Sequence, residues 1–298
     1  MKKEVLDNLI DRAEILIEAM PYIKQFKGET FVIKYGGNAM IDDNLKNSVI
    51  QDIVLLKYVG INPVVVHGGG PEISKLMEKL GIESKFVGGH RVTDSATLDV
   101  AEMVLVGKLN SEITLRINQA GSKAVGLSGK DAGLIHARKY TPINAQSGEA
   151  TDIGFVGEVD HFHSEILTVL LNNDIIPVIS PIAACETGQT YNINADLVAA
   201  SLSAELKASK LILLTDVRGI LKVKGDESTL VSSIKISEVE QMKKEGIISG
   251  GMIPKTDASV DALNKGVGKV HIIDGRMPHS ILLETFTDYG IGTQIVKD

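Results

Sequence analysis

The stretch Val64-Val65-Val66-His67-Gly68-Gly69-Gly70-Pro71 joins a β-branched run to three consecutive glycines and then to a proline. The valines read as a strand buried on both faces, as in a parallel sheet. Pro71 suits the first turn of a following helix, where its missing N–H costs nothing, and Glu72 suits the positive helix end. Glycine loses more backbone entropy on folding than any other residue, so three together exceed what a plain turn requires. Amide N–H groups at the carboxyl end of a strand and the amino end of a helix form the place where an open α/β sheet binds anions.

At 298 residues the chain can bury a substantial core as one large α/β domain or two lobes. Its net charge of −7 and lack of any basic run argue against nucleic-acid binding. One cysteine, Cys185, excludes an intrachain disulfide and suits a reducing cytosol. Charged residues interrupt the amino-terminal apolar positions, so no signal-peptide core is expected, and no run of about 18 apolar residues could span a bilayer. The expectation is a soluble, cytoplasmic protein.

On the amino-terminal side, apolar residues from Val5 to Met20 fall on one helical stripe, and Pro21 is expected to stop that helix. Its apolar face needs cover from a partner or from its own domain. TFVIKY, Thr30 to Tyr35, reads as the first strand, ended by Gly36-Gly37. Lys34 within it is costly unless a negative group meets it, which suggests an anion at the strand's end. Asp42 or Asp43 starts a helix to about Tyr58. Strand, helix and strand with glycine loops at successive strand ends give a doubly wound pattern.

On the carboxyl side a helix runs from Pro71 to Leu80. FVGGHRV follows, with Arg91 suited either to holding a carboxylate or to a solvated surface. Ser95 or Thr97 is expected to cap a long helix to about Gln119. Ser128-Gly129-Lys130-Asp131 resembles a phosphate loop only superficially, because Ala124 stands where that motif requires glycine. Hairpin-like strands are expected near 134–139 and 154–160. YNINAD leads into an Ala-rich helix, and capping accounts for only one of Asn192, Asn194 and Asp196. KLILLT ends in Asp216, Val217, Arg218, Gly219, Ile220 and Leu221. SGGMIPK places Lys255 at a helix start, against the helix dipole, which a required cation would explain.

Two lysines beside glycine pairs, and Asp196 suited to hold ammonium groups, point to phosphoryl transfer, where positioning and charge neutralisation do most of the catalysis. No Walker sequence, dinucleotide fingerprint, HExxH or G-x-S-x-G occurs. His161 and His163 lack further ligands at metal spacing, which argues against zinc.

KYGG, HGGGP, GHRV, YNINAD, LLTDVRGI and SGGMIPK occur in the order found in the amino acid kinase family, which the chain resembles over nearly its whole length. The resemblance implies a three-layer α/β/α sandwich with a mainly parallel open sheet. It implies an interaction helix over 1–22, an amino-terminal lobe over 23–188 that binds an acylated amino acid and dimerises, and a carboxyl-terminal lobe over 189–298 that binds ATP. The implied reaction is phosphorylation of the γ-carboxylate of N-acetyl-L-glutamate by ATP, with Mg2+ held through the phosphates rather than by direct protein ligands. Lys34 and Lys255 would neutralise the migrating phosphoryl group and Asp196 would orient them. Gly69, Gly70, Arg91 and Asn192 would bind the substrate. Gly36 and Gly37, with Asp216 to Leu221 and Ile247, Ile248 and Ser249, would bind the nucleotide. His271, Glu284 and Gly290 resemble the site of arginine-inhibited members, whose amino-terminal helices join three dimers into a hexamer. A related kinase acting on acetylaminoadipate and a non-catalytic amino-acid sensor remain alternatives. Nothing in the sequence supports contact with a nitrogen-regulatory signalling protein.

Overall fold

The computed structural model describes residues 3–40, 42–142, 150–288 and 290–298, and the side chains of 3–9, 11, 12 and 38 lie outside the description. The apolar stripe expected from Val5 is therefore followed only at Ile10 and from Ala13 onward. In chain order the elements are α1 (Lys3–Phe26), β1 (Thr30–Tyr35), α2 (Asp43–Tyr58), β2 (Asn62–His67), α3 (Gly70–Lys79), β3 (Phe86–Val87), β4 (His90–Arg91) and α4 (Ser95–Glu102). A π-helical segment (Met103–Asn110) joins α4 to α5 (Ser111–Gln119). Then come β5 (Lys123–Ser128), β6 (Ile135–Lys139), β7 (Val156–Phe162), α6 (Glu165–Asn172), β8 (Ile175–Ser180), β9 (Ile182–Ala184), β10 (Thr190–Ile193) and α7 (Ala195–Glu205). The chain ends with β11 (Lys210–Thr215), β12 (Ser233–Lys235), α8 (Ile236–Lys244), α9 (Met252–Asn264), β13 (Lys269–Asp274), α10 (Ser280–Phe286) and β14 (Thr293–Val296).

The main sheet runs β12-β14-β13-β11-β1-β2-β8-β5, parallel except where β13 meets β14. Alternation along each strand divides the core. Ile33, Val65, Ile212 and Ile273 face one apolar layer with α2 and α5, while Val32, Val64, Val66, Leu211 and Leu213 face the other with α7 and α9. Helices on both faces make the expected three-layer sandwich. The near-continuous apolar runs follow, because every side chain of an interior parallel strand is covered. A smaller closed ring, β10-β7-β6-β9, stands beside the sheet.

β1 pairs with β2 on one side and with β11 on the other. The chain crosses to opposite sides of β1, so the carboxyl ends of β1, β2 and β11 border a topological switch point, where open α/β sheets bind ligands.

Three local expectations need correction. Pro21 does not stop α1, which continues to Phe26. Tyr22, Ile23 and Phe26 pack against the core beyond it, and that burial outweighs the one hydrogen bond the proline removes. α4 is capped by Asp94 rather than Ser95 or Thr97, since the extended Asp94 accepts from the Thr97 amide at 2.8 Å. His161 and His163 do have a third histidine near them. The antiparallel pairing of β6 with β7 sets His136 directly opposite His161.

Candidate active site

β1 ends in Lys34-Tyr35 and β2 in His67, side by side in parallel register. The Gly68 amide is not open to a ligand, as the triple glycine alone suggests; it donates to the Tyr35 carbonyl at 2.8 Å and ties the two strand ends together. Gly69 and Gly70 carry the loop into α3. A Cβ on Gly69 would lie 2.4 Å from Leu109 Cδ1 and 2.7 Å from Leu105 Cδ2, so the loop rests on the π-helical segment with no room for a side chain. The same segment ends in Asn110, whose amide contacts the Val178 carbonyl at 2.9 Å and His67 Nε2 at 3.2 Å. His67 Nδ1 is 2.9 Å from the Gly68 carbonyl. Complete burial pushes the His67 pKa down to about 4, so the ring is neutral at pH 7, with Nδ1 donating and Nε2 accepting. Asn110 and the π turn were not legible as site elements, because a π segment keeps nearly the apolar pattern of an α-helix.

Lys34 Nζ lies 3.0 Å from Asp196 Oδ1, and Lys255 Nζ pairs with Asp196 Oδ2. Asn194 caps α7 by accepting from the Asp196 amide at 2.8 Å, which fixes the carboxylate in the helix's first turn. α9 packs against α7 and brings Lys255 to that carboxylate. Burial by itself would raise the Asp196 pKa. The ammonium groups of Lys34 and Lys255 overcome it and hold the carboxyl at about 2. Two cations against one buried anion leave a net positive charge at the ends of β1 and β2. A Cβ on Gly36 would come within 2.9 Å of Lys34 Nζ, and Gly37 has a left-handed φ of 68° and closely approaches Asp216.

A cavity of about 250 Å³ is lined by Lys34, Gly37, Gly69, Gly70, Arg91, Asn192 and Asp196, with further residues of the β3–β4 hairpin and the ring strands. Arg91 reaches it from β4 with its guanidinium held at 2.9 Å by Ser84 Oγ, at 2.8 Å by Ser74 Oγ and at 3.0 Å by the Gly70 carbonyl. The Phe86 ring lies 4.7 Å below it. The stretches Asp216 to Leu221 and Ile247 to Ser249 do not line this cavity. The former leaves β11, with the Ile220 amide donating to Thr293 Oγ1 at 2.8 Å, and the latter precedes α9 with Ile248 buried.

His271, Glu284 and Gly290 meet elsewhere, in a cavity of about 620 Å³ that Tyr22 and Phe26 of α1 also line. His271 Nδ1 is 2.6 Å from Glu284 Oε1, and Glu284 Oε2 accepts from the amides of Ile291 at 2.6 Å and Gly292 at 3.1 Å. Burial would raise the Glu284 carboxyl, but His271 and the two amides hold it below the usual range. Burial pushes the Lys210 ammonium down to about 8, against the pull of Glu284. The Tyr22 hydroxyl donates to Asp288, linking α1 to this cavity.

A family profile described as "Amino acid kinase family" matches residues 29–274. An "Acetylglutamate kinase" of Carboxydothermus hydrogenoformans is 55% identical over 97% of this chain and 99% of its own length. The N-acetylglutamate synthase from Neisseria gonorrhoeae complexed with coenzyme A and N-acetyl-glutamate is similar at a TM-score of 0.83 and 28% identity, over 96% of this chain and 63% of that one. The same synthase complexed with coenzyme A and L-arginine gives 0.79 and 26%, over 96% and 65%. The chain thus spans less than two thirds of the synthase's length.

Proposed function

Because the chain belongs to the amino acid kinase family and is a phosphotransferase with a carboxyl acceptor, we propose that it phosphorylates the γ-carboxylate of N-acetyl-L-glutamate with ATP. The convergence of Lys34 and Lys255 on Asp196 from distant parts of the chain carries this reading. An ordinary γ-carboxylate has a pKa of about 4.3, so at neutral pH it is already a nucleophile and needs no general base. A hydroxyl acceptor would require one, and His67, the histidine beside the glycine loop, has both ring nitrogens engaged.

In this reading Lys34 and Lys255 draw charge off the γ-phosphoryl group as it moves, and Asp196 holds their amines apart at the required spacing. The glycine amides after β1 and β2 bind oxygens of the phosphoryl group and the reacting carboxylate. Arg91 and Asn192 hold the α-carboxylate, with the Ser74 and Ser84 hydroxyls exchanging places with it around the guanidinium. Asp216 to Leu221 and Ile247 to Ser249 bind the nucleotide. Lys34 and Lys255 already neutralise Asp196, which suits magnesium carried chiefly on the nucleotide phosphates. Apart from Asn192, substrate and dimer contacts belong to residues 23–188, and the nucleotide to 189–298.

We further propose inhibition by L-arginine at the Glu284 cavity, where the carboxylates of Glu284 and Asp288 suit a guanidinium. The arginine complex of the synthase relative supports it. Ile15, Leu16, Ile17 and Met20 of α1 are exposed, which suits pairing of α1 with further copies in a trimer of dimers. The test is ATP-dependent hydroxamate formation from N-acetylglutamate, with acetylaminoadipate as the competing acceptor and with arginine added. Robust product from N-acetylglutamate alone, reduced by arginine, is expected. Preference for the longer acid, or no product, rejects the assignment.

A further inference from the structure

The four-stranded ring carries a feature that phosphoryl transfer does not use. His161 and His163 stand two residues apart on an extended stretch, so they share a face, and His136 lies across the ladder from His161 on the same side. A register shift between His136 and Ala137 places an extra residue, Asp160, on β7, the kind of bulge that re-aims neighbouring side chains. The His163 amide donates to the Leu134 carbonyl at 3.0 Å, which continues the pairing and holds the third ring in place. One ring nitrogen from each histidine lies within 4.8 Å of the other two. The His136 and His161 rings stack at 4.3 Å, and His163 meets the His136 ring edge-on at 4.7 Å.

We infer that His136, His161 and His163 form a binding site for a divalent transition metal of the zinc, nickel or cobalt class. Neutral imidazoles are preferred ligands for these ions, and three of them leave a fourth position for water. His136 Nδ1 is buried with no hydrogen-bond partner among the described residues, a cost that a ligated metal or its bound water offsets. His161 Nδ1 lies 2.9 Å from Asp160 Oδ2, the carboxylate contact that orients metal-bound histidines, and this leaves Nε2 for the metal. Zinc–nitrogen bonds of about 2.0–2.1 Å in a tetrahedron need nitrogens about 3.4 Å apart. His161 and His163 are exposed, so small side-chain rotations bring the rings to that spacing. Gly133 lies beside the cluster; a Cβ there would be 3.6 Å from His136 Nε2 and from His163 Nδ1, so the site is open on that side. The metal would fasten β6, β7 and the turn into α6 at the end of the ring far from Asn192, which β7 meets through Val156.

The test titrates the full chain, free of any affinity tag, with Zn2+ by calorimetry and with Co2+ by visible absorption. One Zn2+ per chain at micromolar affinity, a tetrahedral-type Co2+ spectrum and a metal-induced rise in Tm are expected. His161→Asn and His163→Asn should each weaken binding by about tenfold or more and remove the rise in Tm. Both positions are exposed, so their metal-free Tm should match the parent and separate ligand loss from misfolding. Failure of the intact chain to bind at micromolar metal, or parental affinity in either variant, overturns the site.

Discussion

The two cavities differ in the opposite sense from their sizes. The smaller one, about 250 Å³, borders the ends of the central strands and is lined by the glycine loop, by Lys34 and by Asp196, whose other carboxylate oxygen pairs with Lys255. The larger one, about 620 Å³, lies against β13, β14 and α1, and its buried Glu284 spends its oxygens on His271 and two amides. A site that must stabilise moving charge needs donors fixed before the reaction, hence interior strands and helix starts that hardly shift. Under the proposed regulation, a site that reports an effector gains from an element that can be displaced, and α1 suits that role: its described residues are mostly exposed, and Tyr22 and Phe26 join it to this cavity.

The largest effect that could break this contrast is on turnover. Lys34→Ala and Lys255→Ala should each lower kcat by about 10²–10³-fold, roughly 3–4 kcal/mol, with little change in KM for ATP. Parental turnover in either variant would place the chemistry elsewhere. Rigidity of the inner site is sharpened by acid titration. His67 has a folded pKa of about 4 against about 6.5 unfolded, so the unfolded chain binds more protons between these values. Its contribution, about 3 kcal/mol at most, is fully present above pH 6.5 and disappears as the pH falls toward 4. Denaturant unfolding at several pH values should show that slope, and His67→Asn should flatten it. Gly69→Ala should cost about 1–3 kcal/mol of stability and raise KM for the acylated amino acid, because its methyl meets Leu105 and Leu109. An unchanged Tm would mean that the π-helical floor yields. Smallest, and confined to the outer cavity, is removal of residues 1–20. Arginine should then inhibit several-fold less while kcat stays near the parent, and a truncated chain that assembles as the parent does and stays equally sensitive would detach α1 from regulation.

The central strands were legible because burial on both faces forces uninterrupted apolar runs, and because Gly36-Gly37 and Gly68-Gly69-Gly70 mark their ends. Lys34, Lys255 and Asp196 could be singled out since each breaks a local rule that only a partner repairs. The short β9 and β12, and α10 with its brief Ser280–Phe286 span, offered too few residues for periodicity to register. α1 passed through Pro21 because Tyr22, Ile23 and Phe26 gain tertiary cover that local propensity does not include. His136 is 25 positions from His161, and only the register of β6 against β7 makes them neighbours. Spacing alone left Arg91 open between a carboxylate and a solvated surface; the structure buries it in the cavity lining, and its hold on Ser74 and Ser84 depends on α3 lying beneath the β3–β4 hairpin, which no spacing reveals.

The ion pairs of Asp196 also bear on synthesis. Lys34 lies in the first strand made, and Lys255 is translated only after most of the chain has left the ribosome. A nascent chain made as far as α7 therefore carries a half-made triad, with Lys34 and Asp196 matched one to one. If Lys255 serves as proposed, premature termination anywhere before α9 should give a chain able to fold in part yet silent as a catalyst.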